Sequence, residues 1–327
     1  MCTVKKCLLI LAIIMAGAML TACSDSNNNR VLIFSSAEYF RNDHILQRLQ
    51  EEFPDYDITV QYMPTGHNAA RIMAEGTDTE ADIVLALDLR YLNSLTDYFA
   101  DLSHFDFSIY LDELIPDVKK IMVWERWSGA VIIDTNALYA RGLPVPTSYQ
   151  DLLDPMYRGL IAMPNPRSSG TGYFFLYKLV HAWGEDEAFA FFDALAPNIM
   201  QFTTSGSGPI RSLLQGEIAI GLGMTFQAVT EKNNGADFKI TWFEEGAPYG
   251  ASGFAMIRGR EEIPAVRAVF DFLASTLIWE DKELFSPEII FVGQTINVEN
   301  YPDVPYADMY GFFDEATRIR LLDRWVH

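Results

Sequence analysis

A chain of 327 residues has room for two domains of ordinary size, and half of its residues are hydrophobic, enough to bury a substantial core. Its 44 acids against 24 Lys and Arg give a formal charge of −20. That balance excludes nucleic acid as an expected partner, because gripping a phosphate backbone takes a basic face.

The N-terminus reads as an export signal. Lys5 and Lys6 precede an uncharged apolar run from Cys7 to Leu20, too short for the ~20 apolar residues of a membrane span. A basic start, a short apolar core and small closing residues predict a signal peptide over residues 1–22. Leu20-Thr21-Ala22-Cys23 resembles the bacterial lipobox, in which the cysteine is lipidated and becomes the mature N-terminus. Cys2, Cys7 and Cys23 are the only cysteines, so the body of the protein can have neither a disulfide framework nor a thiolate metal site. Residues 23–30 then form a polar tether, and a lipidated Cys23 implies a membrane-anchored, exported protein.

Val31–Phe34 predicts a buried strand, Tyr39–Phe53 a helix with Ile45, Leu46, Leu49 and Phe53 on one face, and Ile58–Tyr62 a second strand. A loop at Pro64–His67 opens a helix through Met73, and Ile83–Ala86 is a third strand ending near Asp88. A β-α-β-α-β order predicts an open, mainly parallel sheet, whose ligands bind beyond the carboxyl ends of the strands. Ser35, Ser36, Thr65, Gly66 and Asp88 all lie at such ends, although each alone also suits a capping role.

Tyr98–Arg126 is irregular, with Trp124 and Trp127 flanking Glu125-Arg126. Ala130–Ile133 predicts a strand, and Ser148 caps a short helix through Leu153. Leu160–Met163 is a strand, followed by Pro164-Asn165-Pro166-Arg167-Ser168-Ser169-Gly170-Thr171-Gly172-Tyr173 and then a helix to Trp183. The first N–H groups of a helix lack intrahelical partners and carry the positive end of its dipole. Ser168, Ser169 and Thr171 add hydroxyl donors and Gly170 opens the backbone, a combination that cradles a small anion. Ordinary capping by Ser169 or Thr171 accounts for the same residues.

Glu185–Leu195 is a further helix, and Thr203–Pro209 is a second loop of hydroxyls and glycine, with Ser207 just before its helix. Ile218–Leu222 leads as a strand into Met224-Thr225-Phe226. Lys239–Phe243 is a strand ending at Glu244-Glu245, where Glu245 can accept hydrogen bonds from a ligand or simply be solvated. Gly253–Ile257 is a strand, Pro264–Ser275 an amphipathic helix, and Asp314 caps a closing helix through Trp325. There is no His-Glu-x-x-His, no Gly-x-Ser-x-Gly and no Gly-x-Gly-x-x-Gly after the first strand. An exported chain with polar strand-end loops and no evident nucleophile reads as a binder rather than an enzyme.

Together these residues resemble the solute-binding lipoproteins of bacterial ABC importers, in the branch containing ferric-iron, thiamine, hexose-phosphate and 2-aminoethylphosphonate binders. Pro146–Pro155, Tyr157-Arg158-Gly159, Pro164–Tyr173, Gly216–Gly221 and Glu244-Glu245-Gly246 ahead of Ala255–Gly259 carry the resemblance. It implies an α/β, two-lobed periplasmic-binding-protein-like (type II) fold, with open mainly parallel sheets and a hinge of two crossing strands. Lobe one would span 31–128 plus 253–327 and lobe two 129–252. It further implies a monomer without a cofactor, working with membrane permease and ATPase subunits. The implied contact positions are Ser35, Ser36, Thr65, Asp88, Ser168, Ser169, Gly170, Thr171, Ser207, Thr225 and Glu245. Ferric binders of this branch use adjacent tyrosines late in lobe two, where this chain has Met224-Thr225-Phe226. The expected solute is therefore an organic phosphate or phosphonate. A cation such as a polyamine, thiamine or ferric iron is the alternative, and an anchored phosphoesterase a remote one.

Overall fold

In a computed structural model the described residues are 29–327. The signal peptide, Cys23 and nearly all of the tether lie outside them. The first parallel unit is β1 (Arg30–Ser35), α1 (Tyr39–Glu52), β2 (Asp57–Tyr62), α2 (Thr65–Glu75), β3 (Ile83–Asp88) and α3 (Leu89–Ser94). After short turns, β4 (Met122–Ile133) leads to α4 (Thr135–Ala140). Next come β5 (Ile161–Pro164), α5 (Gly170–Trp183), α6 (Glu185–Leu195), β6 (Ile199–Thr203), α7 (Gly208–Leu214), β7 (Ile220–Met224), α8 (Thr225–Asn233) and β8 (Lys239–Thr241). The chain returns through β9 (Tyr249–Met256), α9 (Pro264–Phe272), α10 (Ile278–Leu284) and α11 (Glu315–Arg324).

The strands run in the order β2-β1-β3-β9-β4-β7-β5-β6, with β8 also on β4. β1 pairs in parallel with β2 and β3, and β5 in parallel with β6 and β7. Between these parallel units lie two long antiparallel strands. β4 pairs with β9 over Met122–Ser128, then leaves it and pairs with β7 and β8 over Gly129–Ile133. One strand thus serves two sheets, and the change falls at Ser128–Gly129. A Cβ on Gly129 would sit 2.6 Å from the Phe174 ring and 2.7 Å from Phe175, so only glycine lets β4 pass under α5. The result is the two-lobed α/β architecture, with both parallel units presenting their strand ends to one cleft.

Several elements differ from the sequence pattern for identifiable reasons. The region before Ala130 was expected to be irregular, yet β4 starts at Met122, because β9 supplies a ladder that local pattern cannot reveal. Ser148–Leu153 forms only a 3-10 turn over Gln150–Leu153. The helix from Pro264 does not stop at Ser275; it widens through a π turn at Leu273–Leu277 and continues as α10. The C-terminal residues, grouped with lobe one in the expected division, touch both units: α11 packs on α3 of the first, and the tail reaches the helices of the second. Trp325 is buried against Phe192 and Phe202, Arg324 pairs with Glu185 and Asp186, and the Tyr177 hydroxyl donates to the Tyr310 carbonyl.

Candidate ligand-binding cleft

A cavity of about 660 Å³ opens between the two units. Of the sequence-predicted positions, Ser36, Thr65, Asp88, Ser168, Ser169, Gly170 and Thr171 line it. β1 delivers Ser36, whose Oγ accepts from Asn68 Nδ2 at 3.1 Å, so its own proton is free to be donated elsewhere. β3 ends in a register shift between Val84 and Leu87, where Ala86 takes φ 53°. A non-glycine residue in that region is uncommon and costs energy that surrounding packing must offset. Beyond the shift Asp88 caps α3, accepting from the Arg90 N–H at 2.9 Å.

The long loop before α5 is folded by Asn165. Its Oδ1 accepts from the Arg167 N–H at 2.9 Å, and its carbonyl accepts from Ser168 N at 3.1 Å and Ser169 N at 2.9 Å. Ser169 is the N-cap, its Oγ accepting from Gly172 N at 3.4 Å, so the capping reading and the lining reading hold together. The Gly170 and Thr171 N–H groups are left as the free donors of a 14-residue helix. The second hydroxyl-and-glycine loop meets the first: a Cβ on Gly206 would lie 2.4 Å from Thr171 Oγ1. It reaches the cavity through Thr204, Ser205 and Gly206 rather than Ser207, whose Oγ instead contacts Ser205 Oγ at 3.1 Å.

Three other predicted positions are also placed off the lining. Ser35 is fully buried, donating to Asn42 Oδ1 at 2.6 Å and accepting from Ala37 N at 3.2 Å. Thr225 is fully buried, with its Oγ1 2.7 Å from Ser128 Oγ, while its neighbours Met224 and Phe226 reach the cavity. Glu245 accepts from Trp183 Nε1 at 3.1 Å on another face. Alternation explains the first two cases, since adjacent residues leaving a strand point to opposite sides, whereas Glu245 lies beyond the end of β8, away from the cleft.

The larger omission from the sequence reading is arginine. Arg41, Arg90, Arg126, Arg167 and Arg318 line the cavity, against four acids, Glu38, Asp88, Glu125 and Glu288. In a chain with nearly two acids per base this is a local reversal. Arg41 is fully committed: Nε and Nη2 donate to Asp281 at 3.0 and 2.8 Å, and Nη1 pairs with Glu125 at 2.8 Å and Glu38 at 3.1 Å. Burial is the largest single influence on the Glu125 carboxyl and would raise it, but Arg41, Lys282 and the Ser252 hydroxyl together hold that group below its ordinary value.

Arg90 is different. Nε and Nη2 grip Asp88 at 2.8 and 2.6 Å, yet Nη1 is buried without a hydrogen-bond partner. Its Nη2 lies 3.9 Å from where a Gly170 Cβ would be, at the first residue of α5. Glu288, buried at the cavity wall, accepts from Ser128 N and Oγ at 2.8 and 2.9 Å and from the Tyr301 and Tyr306 hydroxyls at 2.9 Å each. Burial pushes its carboxyl above the ordinary range despite these donors. The sequence marked Asp88 at a strand end, Arg167 inside the loop before α5 and Glu125-Arg126 between two tryptophans, and it did not mark Arg90. Arg41, Glu288 and Arg318 come from helices and loops far apart in sequence. Among the described residues no cluster of three His, Cys, Asp or Glu is arranged to hold a metal ion, and no helix is long and apolar enough to cross a membrane.

The model of the bacterial extracellular solute-binding protein family matches residues 81–282, and the chain belongs to that family. Proteins of this kind are the solute-capturing components of ABC importers, working outside the membrane with its permease. The chain is 26% identical over 278 residues to an uncharacterized protein of Haemophilus influenzae, covering 80% of this chain and 78% of that one. The periplasmic binding protein AfuA of Actinobacillus pleuropneumoniae, solved with exogenous fructose-6-phosphate bound, superposes with TM-score 0.71 at 23% identity. That match covers 91% of this chain and 97% of AfuA. Iron-bound HitA of Pseudomonas aeruginosa superposes with TM-score 0.75 at 14% identity, covering 90% and 98%.

Proposed function

We propose that this protein captures a small organic oxyanion, a phosphate ester or phosphonate, and hands it to an ABC permease. One observation carries the reading: the free N–H groups at the start of α5, with Ser168 and Thr171 beside them, share the cavity with the guanidinium of buried Arg90, whose Nη1 has no partner. A buried donor without an acceptor costs roughly 1–3 kcal/mol. A phosphoryl group with three acceptor oxygens relieves several such donors at once. The fructose-6-phosphate bound to AfuA belongs to the same chemical class. Ser36 and Thr65 on the first unit, and Ser168, Ser169, Gly170 and Thr171 on the second, are proposed to contact the solute. Ser35, Thr225, Ser207 and Glu245 support their neighbours from behind or stand apart.

The lobes are proposed to divide at Ser128–Gly129 and at residues 252–253 and to close over the solute by hinge bending. The monomer is proposed to be held at the outer face of the membrane through lipidated Cys23. Radiolabelled palmitate should enter the wild-type protein and not Cys23→Ala. For the solute, material released on denaturing the purified protein is identified by mass spectrometry, and thermal shifts are measured with phosphate esters and with polyamines. Stabilisation follows ligand excess, ~2.7 kcal/mol at a hundredfold over the dissociation constant. A phosphorus-free cation that alone co-purifies and stabilises would overturn the reading.

A further inference from the structure

We propose that the C-terminal helix is part of the binding site: Arg318 closes a two-arginine clamp, with Arg90, on the phosphoryl head of the solute at the start of α5. This deepens the oxyanion reading above and rests on it.

Arg90 arrives from α3 and Arg318 from α11, and both guanidinium groups lie against the ring of Tyr173 in the first turn of α5. Their central carbons are 5.4 and 5.7 Å from its centroid. Four polar atoms in this cluster are buried without a hydrogen-bond partner: Arg90 Nη1, Arg318 Nε, the Tyr173 hydroxyl and Glu315 Oε2. Arg90 is 7% exposed and Tyr173 not at all. Four orphans in one cluster are not what stability alone selects, since native interiors leave few such groups. Both arginines line the cleft, and the Gly170 and Thr171 N–H groups open onto the same place.

The donor count selects the guest. Asp88 cannot accept from a ligand readily, because Arg90 already occupies both of its oxygens. Glu315 similarly takes Arg318 Nη1 at 3.2 Å. Glu315 Oε2 is buried without a partner, but Glu315 does not line the cleft, so what the cleft offers at this end is donors, suited to an unprotonated head with three terminal oxygens. A carboxylate has only two oxygens to share among them.

The rest of the C-terminal segment holds the loop to which this head would bind. Arg167, immediately before Ser168, donates through Nε and Nη2 to the Trp325 carbonyl at 3.2 and 2.8 Å. Asn165, which folds the loop, donates through Nδ2 to the His327 carbonyl at 3.0 Å. The buried Trp325 indole fixes that tail between Phe192 and Phe202. The last helix therefore supplies one ligand donor and anchors the others.

The test compares Arg318→Gln with Arg320→Gln, which removes the same charge from the same helix at a residue that pairs with Glu185 outside the cleft. Binding of fructose 6-phosphate, 2-aminoethylphosphonate and inorganic phosphate is measured by titration calorimetry on the full chain, with folding checked by circular dichroism. Arg318→Gln should weaken every phosphorus compound that the wild type binds by tenfold or more, and Arg320→Gln by less than twofold. Arg318→Lys, which keeps the charge and loses the Nε donor, should fall between them. Equal effects at 318 and 320, or wild-type affinity in folded Arg318→Gln, would overturn the clamp while leaving the oxyanion reading intact. A wild type that binds none of the three compounds would overturn both.

Discussion

Arg41 and Arg90 are two buried arginines lining one cavity, and they differ in a single respect. Every donor group of Arg41 is spent on Asp281, Glu125 and Glu38. Arg90 spends two nitrogens on one acid and keeps the third open. The first arrangement satisfies its charges internally and ties α1 to α10 and β4, building a wall. The second leaves hydrogen-bonding capacity open at the cavity, where the proposed solute would use it. A buried ion pair is thus not one kind of object: complete pairing marks scaffold, and incomplete pairing at a cavity marks a site.

The sharpest way to break this contrast is to remove the fully paired member. Arg41→Met leaves Asp281 and Glu125 buried, with Lys282 3.5 Å from Asp281 as the remaining cation. Urea unfolding should show a loss of about 3–5 kcal/mol. Affinity of the folded fraction for its solute should change far less than stability does, and the reverse outcome would erase the distinction between the two arginines.

Gly206→Ala tests the other wall. The new Cβ would fall 2.4 Å from Thr171 Oγ1, and relieving such overpacking costs ~1–3 kcal/mol. The strain falls between the two hydroxyl loops, so the urea midpoint of the unliganded protein should drop by that amount and calorimetry should register weaker phosphate-ester binding; unchanged binding in the destabilised variant would mean that this contact does not shape the site.

Glu288 sharpens the comparison through pH. Its folded-state carboxyl is raised by burial above the unfolded one. Between those two values the native state holds a proton that the unfolded state has lost, so stability falls as pH rises. Glu125 runs the other way: against burial, Arg41, Lys282 and Ser252 together depress it, and its contribution, present above the unfolded value, is lost as pH falls through the folded one. Glu288→Gln should therefore flatten the loss of stability that the wild type shows as pH rises from the ordinary glutamate range. The check is a series of urea midpoints across pH. An unchanged slope would mean that Glu288 is not held protonated.

The smallest effect is expected at Ser168→Ala. Its hydroxyl is exposed, and its one protein contact, to the Asn165 carbonyl, is long at 3.5 Å. Folding should be unaffected, and affinity should fall by the ~0.5–1.5 kcal/mol of a single net hydrogen bond.

What was legible in the chain follows from what is local. Alternation and apolar runs placed β1, β3, β5 and the helices after them, and hydroxyls with glycines before Tyr173 marked a helix start open to an anion. Asp88 was visible because it ends a strand. The choice between Ser35 and Ser36, or between Ser207 and Ser205, was not legible, because which of two neighbouring hydroxyls faces the cleft depends on how the strand or turn is seated.

The sequence by itself determined the alternating α/β order, the exported character expected of the N-terminus and the polar strand ends where a site could form. These rest on periodicity and chain chemistry, which act within a few residues. Tertiary structure alone decided that β4 and β9 join the two sheets, that arginines from α1, α3, β4 and α11 gather in a strongly acidic protein, and which of them keeps a donor free. Pairing of charges and seating of strands are long-range matters, settled by which distant groups the fold brings within hydrogen-bond reach, and no local pattern encodes that distance.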